Sequence, residues 1–518
     1  MSAYVAAIDA GTGSGRCVIF DSHGTQIALA SREWSHPTLP EYPGSFIFET
    51  KQNWRLLCES IKEALKKANL RPGEIQGISA TSMREGMVLY NKKGKEIWAC
   101  PNVDSRARIE VSQLIKKGLA KKIYSRAGDW LAITSPPRFL WIKKHQRELY
   151  RRTAHMTMIS DWILYRLSGN YVTDPSAGSS SDLFQLSKRT WSDEIIRWCE
   201  LPREIFPQVF EPGTVIGEVT RPAANETGFK KGTPVVQGGA DTQLGLIGIG
   251  AVEPNSATTI GGTFWQQTIV TDKPVIDPQL RLRTLCHAVP GRWMTEGIGF
   301  LCGLTMRWFR DAFCEREKEI AAQQRVEPYF ILEKQAEKVP PGSNGIIPIF
   351  SDVMNAKRWM HASPSFIQFD ITQPQKSGVK ECFRAIEESA AYVAKGHLQI
   401  LEDITRHKTK EVVFCGGASK GVLWPQILAD VLGVNVKIPV VRESTALGAA
   451  ICAGVGVGIF SNLQEGKRLV KWDRRVEPNQ ANHEKYLRLY DNWTKVYSRM
   501  VQLVEDKLTE PMWKAAGT

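Results

Sequence analysis

The sequence predicts an internally duplicated α/β protein, and two pairs of short echoes in matching order predict it. A Gly-Thr loop lies between two strand-like runs at Gly11-Thr12 and recurs at Gly262-Thr263, within TTIGGTFWQQT. A β-branched strand running into Gly-Gly-Ala appears as PVVQGGAD at residues 234–241 and again as EVVFCGGAS at residues 411–419. Each half thus presents a Gly-Thr loop, a helix-rich stretch and a Gly-Gly-Ala loop in that order. The division falls near Val252-Glu253-Pro254, which makes residues 1–253 and 254–518 the two expected lobes.

The first element is VAAIDAGTGSGRCVIF, residues 5–20. Two short apolar runs, 5–8 and 17–20, read as buried strands joined by a hairpin turn. Asp9 ends the first of them. Gly11, Gly13 and Gly15 are expected to take positive φ and let the backbone approach a ligand, while Thr12 and Ser14 add hydroxyl donors. That describes a phosphate cradle with a carboxylate at its lip; an ordinary glycine-rich hairpin reads the same way. A Walker A loop is excluded, because the Gly-Lys pairs at 94–95 and 466–467 are followed by Glu96 and Arg468. A dinucleotide fingerprint is excluded too, since Arg16 stands where a third glycine belongs and a strand follows instead of a helix.

Residues 50–69 have the spacing of an amphipathic helix, with Trp54, Leu57, Cys58, Ile61, Leu65 and Ala68 on one face. Pro72-Gly73 ends it. A strand follows at 75–80, and TSMREGMVLY at its exit places Arg84 and Glu85 in a turn. An arginine that donates beside a glutamate that accepts suits a polyol, although a surface ion pair has the same letters. Farther on, EIWACPNVDSRAR offers an apolar wall in Trp98 and opposite charges in Asp104 and Arg106. Up to about Gln208 helices alternate with loops, which reads as an insertion carrying substrate specificity. Asp241 then follows a strand and two glycines, at a loop tip where a carboxylate can orient an acceptor hydroxyl and take its proton during phosphoryl transfer.

In the second half, residues 301–313, 379–404 and 423–432 read as helices, and 340–349 as a turn into a strand. The helix at 423–432 follows its glycines directly, so its free N–H groups are expected to meet a phosphate or nucleoside. Arg442, Glu443 and Ser444 open a small-residue helix in which Gly448, Ala449, Ala453 and Gly454 permit close approach of a flat ligand or another helix. Beyond Arg468 the composition turns charged and aromatic, as in surface helices. Two lobes with phosphate-holding loops imply a nucleotide in the cleft between them. Asp9 is then placed to hold Mg²⁺ through water, because that ion takes few carboxylates and keeps several waters; structural caps are the plain alternative for both aspartates.

Composition narrows the classes. Hydrophobic residues make up 42% and charged residues 23%, as in a folded globular protein. The longest uncharged stretch, 444–464, is too small and glycine-rich for a membrane span, and no secretory signal is visible. Ten cysteines without a CxxC pair, and nine histidines without HxxxH spacing, argue against zinc and disulfides and for reduced cytoplasmic thiols. The net charge of +13 is dispersed over short basic runs, with no nucleic-acid motif beside them.

Five segments taken together resemble the FGGY carbohydrate kinases: DAGTGSGR at 9–16, GGAD at 238–241, GGTFWQQ at 261–267, GGASKGVLWPQILAD at 416–430 and ESTALGAA at 443–450. A sixth, SPPRFLWIKKH at 135–145, departs from that family's signature at Arg138, where lysine is usual. The resemblance implies an actin-like, ribonuclease H-type fold in two lobes that close over Mg-ATP and a sugar or polyol. It implies that Thr12 and Gly13, with Ser14 and Arg16, face the terminal phosphates from one lobe, and Gly262 and Thr263 from the other. Gly416, Gly417 and Ala418 would lie along the adenosine with Gln426 nearby. Asp241 would be the general base, and Arg84, Glu85 and Asp104 would bind acceptor hydroxyls beside it. SMREG keeps the Arg-Glu of glycerol kinases but departs around it, against glycerol and simple pentuloses. The runs SMREGMVLYN, IWACPNVDSRA, TMISDW and GLTMRWFRDAFC resemble more closely a branch of the family that phosphorylates a quorum-sensing signal, hydrated linear 4,5-dihydroxypentane-2,3-dione, on its terminal hydroxyl in the cytoplasm. A sugar-transport phosphocarrier protein is the regulatory partner this implies. A kinase for a pentulose or other polyol shares every nucleotide motif, and a non-catalytic actin-like regulator shares the loops.

Overall fold

The computed structural model describes residues 3–353, 360–440, 443–515 and 517; Arg442, read as opening a helix, lies outside them. A first sheet is built from β1 (Tyr4–Ala10), β2 (Ser14–Asp21), β3 (Gln26–Glu33), β4 (Ile75–Ser82), β5 (Val215–Glu218) and β6 (Pro234–Ala240), in the order β5-β6-β4-β1-β2-β3. A second is built from β7 (Ala257–Gly261), β8 (Trp265–Thr271), β9 (Arg283–Cys286), β10 (Trp293–Gly299), β11 (Glu411–Cys415), β12 (Asn435–Pro439) and β13 (Trp472–Val476), in the order β9-β10-β8-β7-β11-β12-β13.

The central five strands are one design used twice. β3-β2-β1 are antiparallel neighbours, and β4 joins β1 in parallel with β6 beyond it. Likewise β10-β8-β7 are antiparallel, and β11 joins β7 in parallel with β12 beyond it. The Gly-Thr loops, between β1 and β2 and between β7 and β8, are therefore true counterparts. The Gly-Gly-Ala echo is not. Gly238 and Gly239 lie inside β6, whose counterpart is β12, whereas Gly416 follows β11, the counterpart of β4. Duplication is real, but these glycines repeat for unrelated reasons. At Gly238 a Cβ would run into the Ala80 carbonyl of the neighbouring strand, while Gly416 sits at φ 93° against Gly261.

Helix α1 (Thr50–Ala68) packs its Trp54, Leu57, Cys58, Ile61 and Leu65 face on the first sheet and ends at left-handed Asn69. Helix α2 (Asp241–Gly248) continues from β6; α3 (Val379–Thr405) and α4 (Leu423–Leu432) flank the second sheet, and α5 (Ser444–Gly456) follows β12. Helices α2 and α5 bridge the halves. α5 packs on β1, β4 and β6 of the first sheet, while Leu246 and Ile249 in and just after α2 join Leu285, Met294 and Cys415 of the second. Between the two helices backbone meets backbone: a Cβ on Gly248 would run into the Ser444 carbonyl, and one on Gly448 into the Leu244 carbonyl. The small-residue helix thus receives another helix.

Within residues 83–214 a three-stranded sheet, Met87–Tyr90 with Glu96–Cys100 and His155–Met158, stands off the main sheet as an insertion should, but the helix Ile159–Ser168 packs on β4 and β6 and belongs to the first core. The C-terminal helix Gln480–Glu505 is not merely a surface element, because Tyr486, Trp493, Tyr497 and Val501 enter the second core. Among the described residues, no helix is long and apolar enough to cross a membrane.

Candidate active site

The first loop closes tightly, with Gly11 N–H donating to the Ser14 carbonyl at 2.9 Å. None of Gly11, Gly13 and Gly15 has positive φ, contrary to the expectation from the sequence. Gly15 is required by packing instead, since a Cβ would lie 2.6 Å from Leu57 and closer still to Trp34. Gly13 is exposed, with open space where a Cβ would stand. The Thr12 carbonyl accepts from Trp34 Nε1 at 3.1 Å and lies 2.6 Å from His36 Nε2, while the Thr12 hydroxyl donates to Asn102 at 3.2 Å. Among the described residues the Thr12 and Gly13 amides have no acceptor, so two N–H groups point out of an anchored loop. In the second loop Gly262 N–H donates to the Phe264 carbonyl at 3.2 Å, and the Thr263 carbonyl is held by Gly303 N–H at 3.2 Å.

Asp9, buried at the end of β1, accepts two bonds from Arg16 on Oδ2, at 2.8 Å from Nε and 2.6 Å from Nη2. Arg16 Nη1 pairs in turn with Glu443 at 2.8 Å, at the start of α5. Arg16 was expected to face phosphates; its guanidinium is engaged by two carboxylates, one from each half. Asp241 is half-buried in the first turn of α2, its Oδ1 accepting from Thr242 N–H at 2.6 Å. Burial pushes its pKa up to about 6 against the opposing pull of Arg84, and the Asp9 and Glu85 charges push the same way as burial. These influences place Asp9, Arg84, Glu85 and Asp241 in one electrostatic neighbourhood.

Arg84 and Glu85 form no surface pair; both are buried. Arg84 Nη1 donates to Glu296 at 2.7 Å, and Glu85 Oε1 lies 3.0 Å from Arg283 Nη1, both partners coming from the second sheet. Glu85 itself holds φ 59°, an uncommon conformation for a non-glycine residue and one that a site must hold in place. Arg138 holds it. Its fully buried guanidinium donates to the Glu85 carbonyl and to those of Pro101 and Asp104, at 3.1 and 3.0 Å. A fork of five donors can tie several carbonyls that a single lysine ammonium would not reach together, which gives the departure from the family signature a purpose. Asp104 Oδ2 accepts from Phe46 N–H at 2.8 Å and Arg106 Nε at 2.7 Å, while its buried Oδ1 accepts no hydrogen bond among the described residues and lies 3.9 Å from Arg138 Nε.

On the far side Gly416, Gly417 and Ala418 form an open turn against the end of β7, with Gly416 and Gly417 exposed. The helix beyond them is not the free donor that was expected. A 3-10 turn over Gly417–Lys420 intervenes, and Glu333 accepts from Val422 N–H at 3.2 Å, filling the N-terminus of α4 with a carboxylate. Gln426 is likewise engaged, donating to Asp430 at 2.8 Å and to the Glu477 carbonyl at 3.0 Å. Reasoning from the sequence missed Arg283, Glu296, Asp129 and Glu443. Charged residues inside the strand-like runs RTLC and TEGIG were the available signal.

The N-terminal domain of the FGGY family of carbohydrate kinases matches residues 4–248, and its C-terminal domain residues 258–457. The autoinducer-2 kinase of Escherichia coli strain K12 is 48% identical over 99% of this chain and 98% of its own, and that of Yersinia enterocolitica is 46% identical over the same shares. Among solved structures, gluconate kinase from Lactobacillus acidophilus superposes with a TM-score of 0.85 at 20% identity, covering 96% of this chain and 98% of that one. Xylulose kinase from Rhodospirillum rubrum gives 0.85 at 23%, covering 96% and 99%. At such identities these two speak for the fold, which is the two-lobed, actin-like one. With both family domains matched in order along a sheet built twice, and relatives nearly half identical from end to end, the chain belongs to the FGGY family of carbohydrate kinases, ATP-dependent phosphotransferases that act on a hydroxyl group.

Proposed function

We propose that this protein phosphorylates autoinducer-2, as linear 4,5-dihydroxypentane-2,3-dione, on its terminal hydroxyl, with Asp241 as general base. The observation that carries the base is the Asp241 carboxylate itself, half-buried beside Arg84 and Glu85, with its pKa pushed up to about 6. A base poised near neutrality accepts a proton from an alcohol as the phosphoryl group arrives. Arg84, Glu85 and Asp104 hold the acceptor's hydroxyls, and Asp104 Oδ1, which accepts no hydrogen bond among the described residues, supports that role. The open amides of Thr12 and Gly13, with Ser14 beside them, and the loop at Gly262 and Thr263 take the phosphates. Gly416, Gly417 and Ala418 lie along the adenosine, with Gln426 shaping that wall from behind, and Arg16 orients Asp9.

Among the described residues no cluster of three His, Cys, Asp or Glu residues would hold a metal by itself. That fits magnesium, which needs one or two carboxylates and takes its other ligands from water and phosphate. Asp9 is the residue for it, having no hydrogen-bond partner on Oδ1 among the described residues. Bound there, the ion would neutralise phosphate charge. The lobes in this reading are residues 1–253 and 254–518. The ten cysteines are buried free thiols, which supports a reducing, cytoplasmic setting. Regulation by a sugar-transport phosphocarrier protein rests on the family likeness alone.

ATP consumption by purified protein against the dione, glycerol and a panel of pentuloses tests the acceptor. Turnover of the dione is expected; robust turnover of a pentulose with none of the dione overturns the assignment.

A further inference from the structure

Resting on the reading of Arg84 and Glu85 as acceptor ligands, we propose that Arg283 and Glu296 are positioning residues of the acceptor site, by which the second half completes a pocket otherwise built from the first. The two face each other directly across β9 and β10. Glu296 Oε1 accepts from Arg283 Nε and from Arg84 Nη1, the latter at 2.7 Å. Arg283 Nη1 reaches Glu85 Oε1 at 3.0 Å and Asp129 Oδ2 at 3.3 Å. All five side chains are buried.

Taking such ions out of water costs several kcal/mol each, and apolar residues of similar size often stabilise a core as well or better. A cross-strand ion pair at a sheet margin is therefore a poor device for stability alone. Its geometry is that of a bracket. The Glu85 backbone is fixed from the first half by Arg138, and its carboxylate from the second half by Arg283. Arg84 is aimed the same way, by Glu296. Remove Arg283, and Glu85 and Asp129 are left as neighbouring like charges; remove the Glu296 charge, and Arg84 loses its 2.7 Å anchor on the second half and keeps only its longer pair with Glu85. Although Glu85 pairs with both arginines, losing either anchor frees the acceptor ligands to reorient while the phosphate loops keep their place.

The test is steady-state kinetics on full-length wild type, Arg283→Met, Arg283→Lys and Glu296→Gln, using ATP with magnesium and whichever acceptor wild type turns over, with thermal midpoints in ATP as the check on folding. Arg283→Met is expected to raise the acceptor KM tenfold or more with the ATP KM within twofold, and Arg283→Lys to fall between it and wild type. If Arg283→Met does not fold, the isosteric Glu296→Gln carries the same expectation. An unchanged acceptor KM in a folded variant overturns the inference. So does a parallel rise in both KM values, which would make the bracket a general latch between the halves. Absence of wild-type turnover on every acceptor defeats the kinase reading and the bracket together, whereas wild-type turnover with unaltered variants defeats the bracket alone.

Discussion

One step below the closing pair of β1 and β2, Asp9 stands opposite Arg16; at the same step of β7 and β8, Ile260 stands opposite Gln266. The two hairpins share a place in their sheets and a Gly-Thr tip, yet only the first carries charge. Both reach across to a helix of the other half. Arg16 pairs with Glu443 at the start of α5, and Gln266 donates to Thr242, in the first turn of α2, at 3.5 Å. Duplication supplied the frame twice. The chemistry was placed on one side of it, where Asp9 lies within electrostatic reach of Asp241.

The heaviest blow to this asymmetry is removal of the base. Asp241→Asn should lower kcat by roughly 10² to 10⁴ while the ATP KM stays within about twofold; a kcat near wild type would return Asp241 to the role of a helix cap. Two glycines of the first loop separate next. Gly15→Ala should cost about 1–3 kcal/mol of stability in urea unfolding, from overpacking against Trp34 and Leu57. Gly13→Ala, with open space around it, should stay within about 0.5 kcal/mol and show its effect in ATP binding. Third, Arg16→Met should lower kcat/KM for ATP about tenfold, near 1.4 kcal/mol, while Gln266→Leu should lower it less than about threefold, because a long neutral bond is worth less than two charged ones. Equal losses would erase the difference between the hairpins.

The smallest effect is one of pH. As the proposed base, Asp241 would work only when deprotonated, so kcat/KM should fall as pH drops through about 6. The Asp9 charge helps to raise that value; Asp9→Asn should therefore move the acidic limb to lower pH. A limb that stays in place would mean that Asp9 does not act on Asp241.

Local patterns made much of this legible. The opening hairpin, α1 with its apolar face, and α4 to its last residue follow from period and punctuation, which short-range physics sets. Gly-Gly-Ala misled because two different constraints select the same letters. At Gly238 a neighbouring strand lies too close for a side chain, and at Gly416 the chain turns with φ 93°. Asp241, Arg84 and Glu85 were visible because each follows a strand, although Asp241 opens a helix and does not stand at the loop tip the sequence suggested. Their partners were not, since Glu296 lies 212 residues from Arg84 and Glu443 is brought to Arg16 only by the packing of α5 on the first sheet. The filled N-terminus of α4 was hidden for the same reason, its carboxylate coming from Glu333, 89 residues away.

At the crossing of α2 and α5, main chain lies on main chain. The spacing between the halves is consequently gauged by peptide dimensions, which no substitution elsewhere alters, rather than by side-chain volumes, which drift. Two glycines serve as the fixed gauge from which the width of the cleft is measured.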